Sequence, residues 1–378
     1  MQESSSEKRV RLTVRAHDSL SEVFLVNSQF QLREIGVGQL ETPVLPGLYK
    51  ARFRIGQQQV DQLIEVQPGS DAVEIQGLPV DFSSPVPFSG ISTERRAHRK
   101  AAEELSRSVS EKKGKGAWLF LFIRALTDAE TVPWAGFSLH DLDGTVLAEP
   151  SLGICNQHEG FFALHIEVDP GTYRLRVEEE PGEVYEIYVQ AVAGWQTQVF
   201  ALSEAAWLPD VVAYRAALPS VSVLMTEAGQ GFDASDKVAR QVELLRLALL
   251  HGREVVKENA VADLLKEEQV NPMQVILTAH SLLGQGKLDV SQLSAVVKRL
   301  PSDFAEYPDI QALALDQPAE MRAVFPTPPM LRSSWDRILQ ALEQRKVIVP
   351  PGSLTAQIAG GVIKTSLWLV HRLDSQEV

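Results

Sequence analysis

Cysteine is almost missing from this chain of 378 residues: Cys155 stands alone. No intrachain disulfide can form, which excludes the small secreted scaffold that bridges hold together in place of a core. Long apolar runs are missing as well. The two best candidates, residues 117–126 and 360–370, are interrupted by Arg124 and Lys364 and fall short of the roughly 20 residues a membrane helix needs. The first eleven residues are polar and charged with no apolar stretch behind them, so the expectation is a cytoplasmic protein without a secretory leader. Positive charge is scarce: 36 Lys and Arg against 49 Asp and Glu leave a net charge of −13. A polyanion is bound by exchanging its counterions for bases, so nucleic acid is not an expected partner of the whole chain. Also missing are Gly-x-Ser-x-Gly, His-Glu-x-x-His, the kinase set and a complete phosphate loop. No catalytic motif or cofactor is therefore expected.

What is present is the composition of folded material, 44% hydrophobic and 22% charged, in a length that suits two or three domains at roughly 100–200 residues each. The clearest feature is a repeat. "PGLYKARF" (residues 46–53) matches "PGTYRLRV" (residues 170–177) as Pro-Gly-x-Tyr-base-x-Arg-apolar. Pro and Gly set a turn, and alternation then gives a strand with one apolar and one wet face. Each copy continues as strand, turn and strand, with Gly69 or Gly194 in the turn, and each is preceded by a hairpin pattern, the second turning at Asp143-Gly144. Short strands at regular spacing predict an antiparallel β-sandwich in each copy, residues 8–87 and 116–202.

After a connecting segment, residues 203–232, the periodicity becomes helical. Val238, Val242, Leu245 and Ala248 share one face and Gly252 stops the helix. Asn271-Pro272 reads as a cap and first helical residue. Further helices are predicted over residues 289–299, 308–315, 329–345 and 353–373. The fold class expected is two antiparallel β-sandwich modules followed by an all-α domain, residues 233–373.

The Pro-Gly-x-Tyr-x-x-Arg segments resemble a hairpin of prealbumin-like sandwiches, the group with Cna-B-type and carboxypeptidase-regulatory modules. That resemblance implies a spacer or binding module. The helical region, with "SVLMTEAGQGFDASDKVARQVELLRLALLHGR", resembles the helical portion of accessory proteins of caspase-like or CHAT peptidases in bacterial conflict gene clusters. It implies an adaptor, regulator or substrate of a peptidase and transfers no catalytic residue.

Between the repeats lies a basic stretch, residues 92–116, with Arg95, Arg96, Arg99, Lys100, Arg107, Lys112, Lys113 and Lys115 against four Glu. Ala97, Ala101, Leu105 and Val109 recur every four residues, a thin stripe in which two alanines contribute about 1 kcal/mol each. A loosely held helical linker, residues 88–115, is expected, reachable by a partner or a peptidase. Aromatic residues for stacking on bases are absent from it.

Other motifs are sparse. Cys155-x-x-His158, with His140 and His165 near by, lacks the ligand set of a structural zinc site. Asp141-x-Asp143-Gly144 reads as a hairpin turn, not a calcium loop, and Gly229 to Gly231 as a linker. Trp335 and Trp368 are the candidate interface residues, the alternative being core packing. The reading is a non-enzymatic adaptor that works by protein recognition. Its alternatives are a spacer or an enzyme using His280, Asp303 and Glu306.

Overall fold

The structure is a computed structural model that describes residues 8–127, 132–180, 183–208, 211–257, 260–266, 270–287, 290–316, 322–363 and 366–373. Strands dominate the N-terminal part and helices the C-terminal part. The chain divides into two units, Met1–Ser83 with Leu244–Glu258, and Ser84–Glu243 with Asn259–Val378.

The first unit holds β1 (Val10–Arg15), β2 (Glu22–Asn27), β3 (Leu32–Val37), β4 (Gln39–Val44), β5 (Gly47–Ile55), β6 (Gln58–Val66) and β7 (Ala72–Gln76). They form one path, β6-β5-β2-β3-β4-β1-β7. β3 and β4 share only the Val37–Gln39 pair, and the path turns there about Gly38, at φ +70°. Val23, Leu25, Ala51 and Phe53 are buried from one half of the path, and Val10, Leu12, Val14 and Leu40 from the other. The halves meet closely enough that a Cβ on Gly77 would lie 2.4 Å from the Phe53 ring.

The second unit begins with α1 (Arg96–Leu105) and β8 (Glu111–Lys112), then β9 (Ala117–Arg124), β10 (Phe137–His140), β11 (Val146–Ala148), β12 (Ile154–Asn156), β13 (Phe161–Val168), β14 (Gly171–Glu180), β15 (Glu183–Ala191), β16 (Trp195–Leu208), β17 (Val211–Ala216) and β18 (Ser222–Glu227). The helical stretch holds α2 (Lys237–Leu250), which crosses the division between units, α3 (Ala260–Leu264), α4 (Pro272–Gly284), α5 (Val290–Val297), α6 (Pro308–Leu313), β19 (Ala323–Val324), α7 (Arg332–Glu343), β20 (Val347–Ile348), α8 (Leu354–Gln357), β21 (Val362–Ile363) and β22 (Val370–Leu373). One sheet runs β11-β10-β14-β15-β22-β21, and the other β12-β13-β9-β16-β17 with β18 also on β16 and β8 on β13. Leu121, Ile123, Val199, Phe137 and Leu175 surround a small void between them. β9 is buried on both faces: Phe120 and Phe122 of its other face meet Phe161, Phe200 and His98 of α1. Burial on both sides accounts for the near-continuous apolar run of residues 117–126.

The repeat is structural. β5 and β14 are the matching strands, and the hydroxyls of Tyr49 and Tyr173 each donate to the carbonyl four residues earlier, Leu45 at 2.9 Å and Asp169 at 2.7 Å. The Asn271 side chain accepts from the N–H groups of Met273 and Gln274, with Pro272 in the first turn of α4.

Four expected spans differ. The all-α domain of residues 233–373 is not separate, because β22 pairs antiparallel with β15, Val184 with Leu373 through Ile187 with Val370. The sandwich of residues 116–202 therefore takes in β17 and β18 beyond its expected end and a strand from the chain's last described segment. The helix expected over residues 353–373 stops at Gln357, and a short 3-10 turn and two strands follow. Helical and extended patterns cannot be told apart in so short an apolar run. The linker of residues 88–115 belongs to the second unit, β8 pairing with Ile166 and Glu167 of β13. Asp289, the expected start of one helix, lies outside the described residues.

Candidate functional site

The basic stretch is held down along its length. His98 is fully buried, its Nε2 donating to the Glu159 carbonyl at 2.5 Å, and Ala102, one turn on, is buried with it. Arg95 donates to the Leu126 carbonyl. Arg99 pairs with Glu94 at 2.5 Å. Arg107 reaches the carbonyls of Gln230 and Phe232, both at 3.1 Å, and Lys112 pairs with Glu167 at 3.0 Å. The Lys113 and Lys115 backbone N–H groups donate to the Glu167 carbonyl and the Asp169 carboxylate. Arg96 and Lys100 face solvent. Gln196, buried on β16, donates to the Ser106 carbonyl at 2.7 Å and to His165 Nε2 at 2.9 Å. The expected reachable tether is thus a covering layer of the second unit. The seam was missed because it runs through a histidine and an alanine, not the Leu105 and Val109 stripe, and Val109 is exposed. Trypsin in native buffer is expected to cut elsewhere before it cuts residues 92–116, with fragments read by mass spectrometry. Early cleavage inside α1 would contradict the docked arrangement.

Trp335 and Trp368 are core residues, not interface anchors. Trp335 is buried in a cluster with Tyr188, Leu354, Ile358 and Leu369. Trp368 is buried with its indole N–H donating to the Val221 carbonyl at 2.6 Å. A tryptophan at helical spacing with leucines reads the same whether it meets a partner or its own core.

His280, Asp303 and Glu306 are not brought together. Asp303 and Glu306 rim a cleft of about 850 Å³ with Thr172, Gln190, Gln311 and Phe325. His280 is buried instead in a chain of hydrogen bonds. Ser333 Oγ lies 3.0 Å from its Nδ1, its Nε2 lies 2.9 Å from Ser334 Oγ, and Ser334 Oγ donates to Asp309 Oδ1 at 2.7 Å. With the serine proton committed to Asp309, Nε2 carries its own proton and Nδ1 accepts from Ser333. Asp309 also accepts from the Met330 and Leu331 N–H groups at 2.8 and 3.0 Å, so α6 caps the start of α7, whose own cap residue supplies no side-chain acceptor. Burial and the charge of Arg337 push His280 down to about 3. Burial pushes Asp309 up to about 6 against its backbone and serine donors. A nucleophile triad needs the imidazole between acid and hydroxyl. Here the hydroxyl lies between acid and imidazole, out of solvent.

Cys155 is exposed, its Sγ against the Pro150 carbonyl at 3.4 Å. His140 lies in the other sheet, and His165, on the β13 strand that pairs with β12, is buried and bonded to Gln196. Among the described residues no group of His, Cys, Asp and Glu gathers as a metal site, and no helix is long and apolar enough to cross a membrane.

One face of the first unit is uncovered among the described residues. β2, β5 and β6 turn Phe24, Val26, Lys50, Arg52, Arg54, Asp61 and Leu63 to the side away from the core. Phe30 caps the β2–β3 hairpin, 82% exposed and at φ +60°, in a turn where Asn27 Oδ1 accepts from the Gln29 and Gln31 N–H groups. Leu63 is 69% exposed, with Leu32, Ile35 and Leu48 also exposed. Arg54 lies over the Phe24 ring at 4.6 Å and is held by Glu22, while Arg52 and Lys50 share Asp61. The hydrogen bond from Arg52 draws Asp61 down to about 2. Phe24, Phe30, Leu32 and the three bases enclose a hollow of about 340 Å³. No sequence motif marks it; the signal was Phe24 and Val26 at alternate positions of β2 and Leu63 between Asp61 and Glu65 on β6.

No family model matches the chain and no curated protein matches it. Among solved structures, the Bacillus anthracis TIE protein is similar at 11% identity over 49% of this chain and 32% of its own, with a TM-score of 0.21. A putative polysaccharide binding protein from Bacteroides thetaiotaomicron aligns at 6% identity over 59% of this chain and 97% of its own, TM-score 0.18. The pilus adhesin SpaC from Lactobacillus rhamnosus GG aligns at 10% over 55% and 30%, TM-score 0.16. This chain spans about a third of the length of the first and third. Scores this low determine neither fold nor function.

Proposed function

We propose that this protein is a non-enzymatic recognition protein whose partner, another protein, docks on the uncovered β2–β5–β6 face of the first unit. The observation that carries the reading is that Phe30, Leu32, Ile35, Leu48 and Leu63 are all exposed, about the row of Lys50, Arg52 and Arg54 on this side of the sheet. Exposed apolar residues gathered on one sheet face among charged ones are a binding feature, whereas leucines scattered singly over a surface are ordinary. Support for a non-catalytic role comes from the burial of His280 away from Asp303 and Glu306. A caspase-like or CHAT peptidase as the partner, in a bacterial defence setting and in the cytoplasm, rests on the sequence resemblance and composition alone. A photo-crosslinking amino acid at Leu63, with a second at Glu74 on β7 as the control, tests the reading in the producing cell. Adducts specific to the Leu63 position are expected. Equal yields at both positions, or none, would remove the face as the docking site.

A further inference from the structure

The internal repeat supplies a comparison for this face. Aligning the two Pro-Gly-x-Tyr segments sets Lys50 and Arg52 on Arg174 and Arg176. Gly47 pairs with Val66, and Gly171 with Ala191. Counting back along β6 and β15, Asp61 then falls on Glu186 and Leu63 on Tyr188. The ion pair is repeated too, Arg52 with Asp61 at 2.7 Å and Arg176 with Glu186 at 2.9 Å.

The two faces differ in what lies over them. In the second unit Tyr188 is buried under Trp335, Leu354, Ile358 and Leu369. β15 is extended by β22, which sets His371 opposite Glu186, Nδ1 3.5 Å from its carboxylate. In the first unit β6 ends the sheet among the described strands. Gln62, on the core side, accepts the Leu78 N–H at 3.2 Å, while Asp61, Leu63 and Glu65 stay exposed.

We infer that the β6 edge and the face around Leu63 receive a partner segment of the kind the second unit supplies to itself. This occupant is a short strand that adds antiparallel to β6, joined to apolar helical residues that lie over Leu63. The inference rests on the proposed recognition role and specifies its partner. Addition of a strand satisfies the free backbone groups of the edge and selects side chains at alternate positions. Charge complementarity defines one of them: with Asp61 and Glu65 both turned outward on β6, the incoming strand carries Lys, Arg or His level with Asp61, as His371 stands to Glu186. An apolar or aromatic residue takes the place of Trp335 over Leu63.

The probe is a fluorescein-labelled peptide of residues 353–373, titrated into the full-length chain and followed by anisotropy. Saturable binding is expected, weakened at least about tenfold by Leu63→Asp in the protein and weakened also by His371→Asp in the peptide. Leu63 is exposed, so Leu63→Asp is expected to fold, which circular dichroism checks. No saturable binding, or binding indifferent to Leu63→Asp, overturns the inference. If crosslinks at Leu63 persist in that case, recognition by this face stands and only the strand-and-helix occupant falls. Concentration-dependent dimers in light scattering that vanish in Leu63→Asp would assign the face to a second copy and overturn it too.

Discussion

Replacing Arg124 by methionine is expected to lower the stability of the second unit by about 3–5 kcal/mol, seen as a shift of the urea midpoint by tryptophan fluorescence. Arg124 ends β9 and is fully buried. Its guanidinium donates to the carbonyls of Pro85, Thr93 and Ser84 at 2.8, 2.7 and 2.8 Å, and to Val86 at 3.4 Å. Those carbonyls belong to an irregular segment with no strand partner of its own, so the side chain stands in for a sheet ladder. Methionine keeps much of the volume but leaves buried acceptors unsatisfied, each a cost of about 1–3 kcal/mol. Lysine keeps the charge but has no planar fork to reach several carbonyls at once, so Arg124→Lys is expected to recover only part of the loss. Full recovery by lysine would show that charge, not geometry, is what the site uses. The Arg124→Met protein is also expected to admit trypsin to α1, because residues 84–93 lead directly into that helix.

Acidification between pH 6.5 and about 4 is the second large effect. Burial holds His98 and His165 down at about 4, and His280 at about 3, from an ordinary 6.5. Across that window the unfolded chain takes up protons on these three residues and the folded chain does not, so stability falls as pH falls. Each contributes on the order of 3 kcal/mol by pH 4 at 1.36 kcal/mol per unit. Asp309 acts with the opposite sign. Raised from 3.8 to about 6, it is protonated earlier in the folded chain and returns on the order of 3 kcal/mol over the same range. The balance is a loss of about 6 kcal/mol, large against a total of roughly 5–15 kcal/mol. Below pH 4.5 Glu186 adds to the loss. Burial opposes its ionisation, but the approach of His371, the hydrogen bond from Tyr188 and the charge of Arg176 hold it at about 2. Urea midpoints at pH 7.5, 6 and 5 should fall steadily, and His165→Gln should flatten the slope by about one proton. A midpoint constant from pH 7.5 to 4.5 would contradict the burial of all three rings.

How much of this could be read from residue order varies by element. The turn of Pro46-Gly47 and Pro170-Gly171, the tyrosine two positions on and the alternation behind it predict a strand wherever they occur, and both copies form one with the same hydroxyl bond. Asn271-Pro272 starts a helix by the same local logic. The segment ending at Leu373 behaves otherwise. Its apolar spacing fits a helix as well as a strand, and it becomes a strand because β15, nearly 190 residues earlier, has an open edge beside it. Only the assembled sheet creates that template.

The candidate face shows the same division. That β2, β5 and β6 place Phe24, Lys50, Arg52 and Leu63 on one side follows from a period of two. Whether that side is covered does not. Tyr188 obeys the same alternation and is buried against Trp335 of α7 and Leu354 of α8, while Leu63 is bare. Residue order by itself determined the repeated strands, the cap at Asn271, the scarcity of bases and the lack of an intrachain disulfide, because each depends on neighbours a few positions apart or on composition. Tertiary structure alone decided that the basic stretch is a docked layer, that Trp335 and Trp368 are core, and that one of two matching faces is left open. Those outcomes depend on which distant segment reaches a surface first, and burial free energy rewards any segment of suitable shape without regard to its place in the chain.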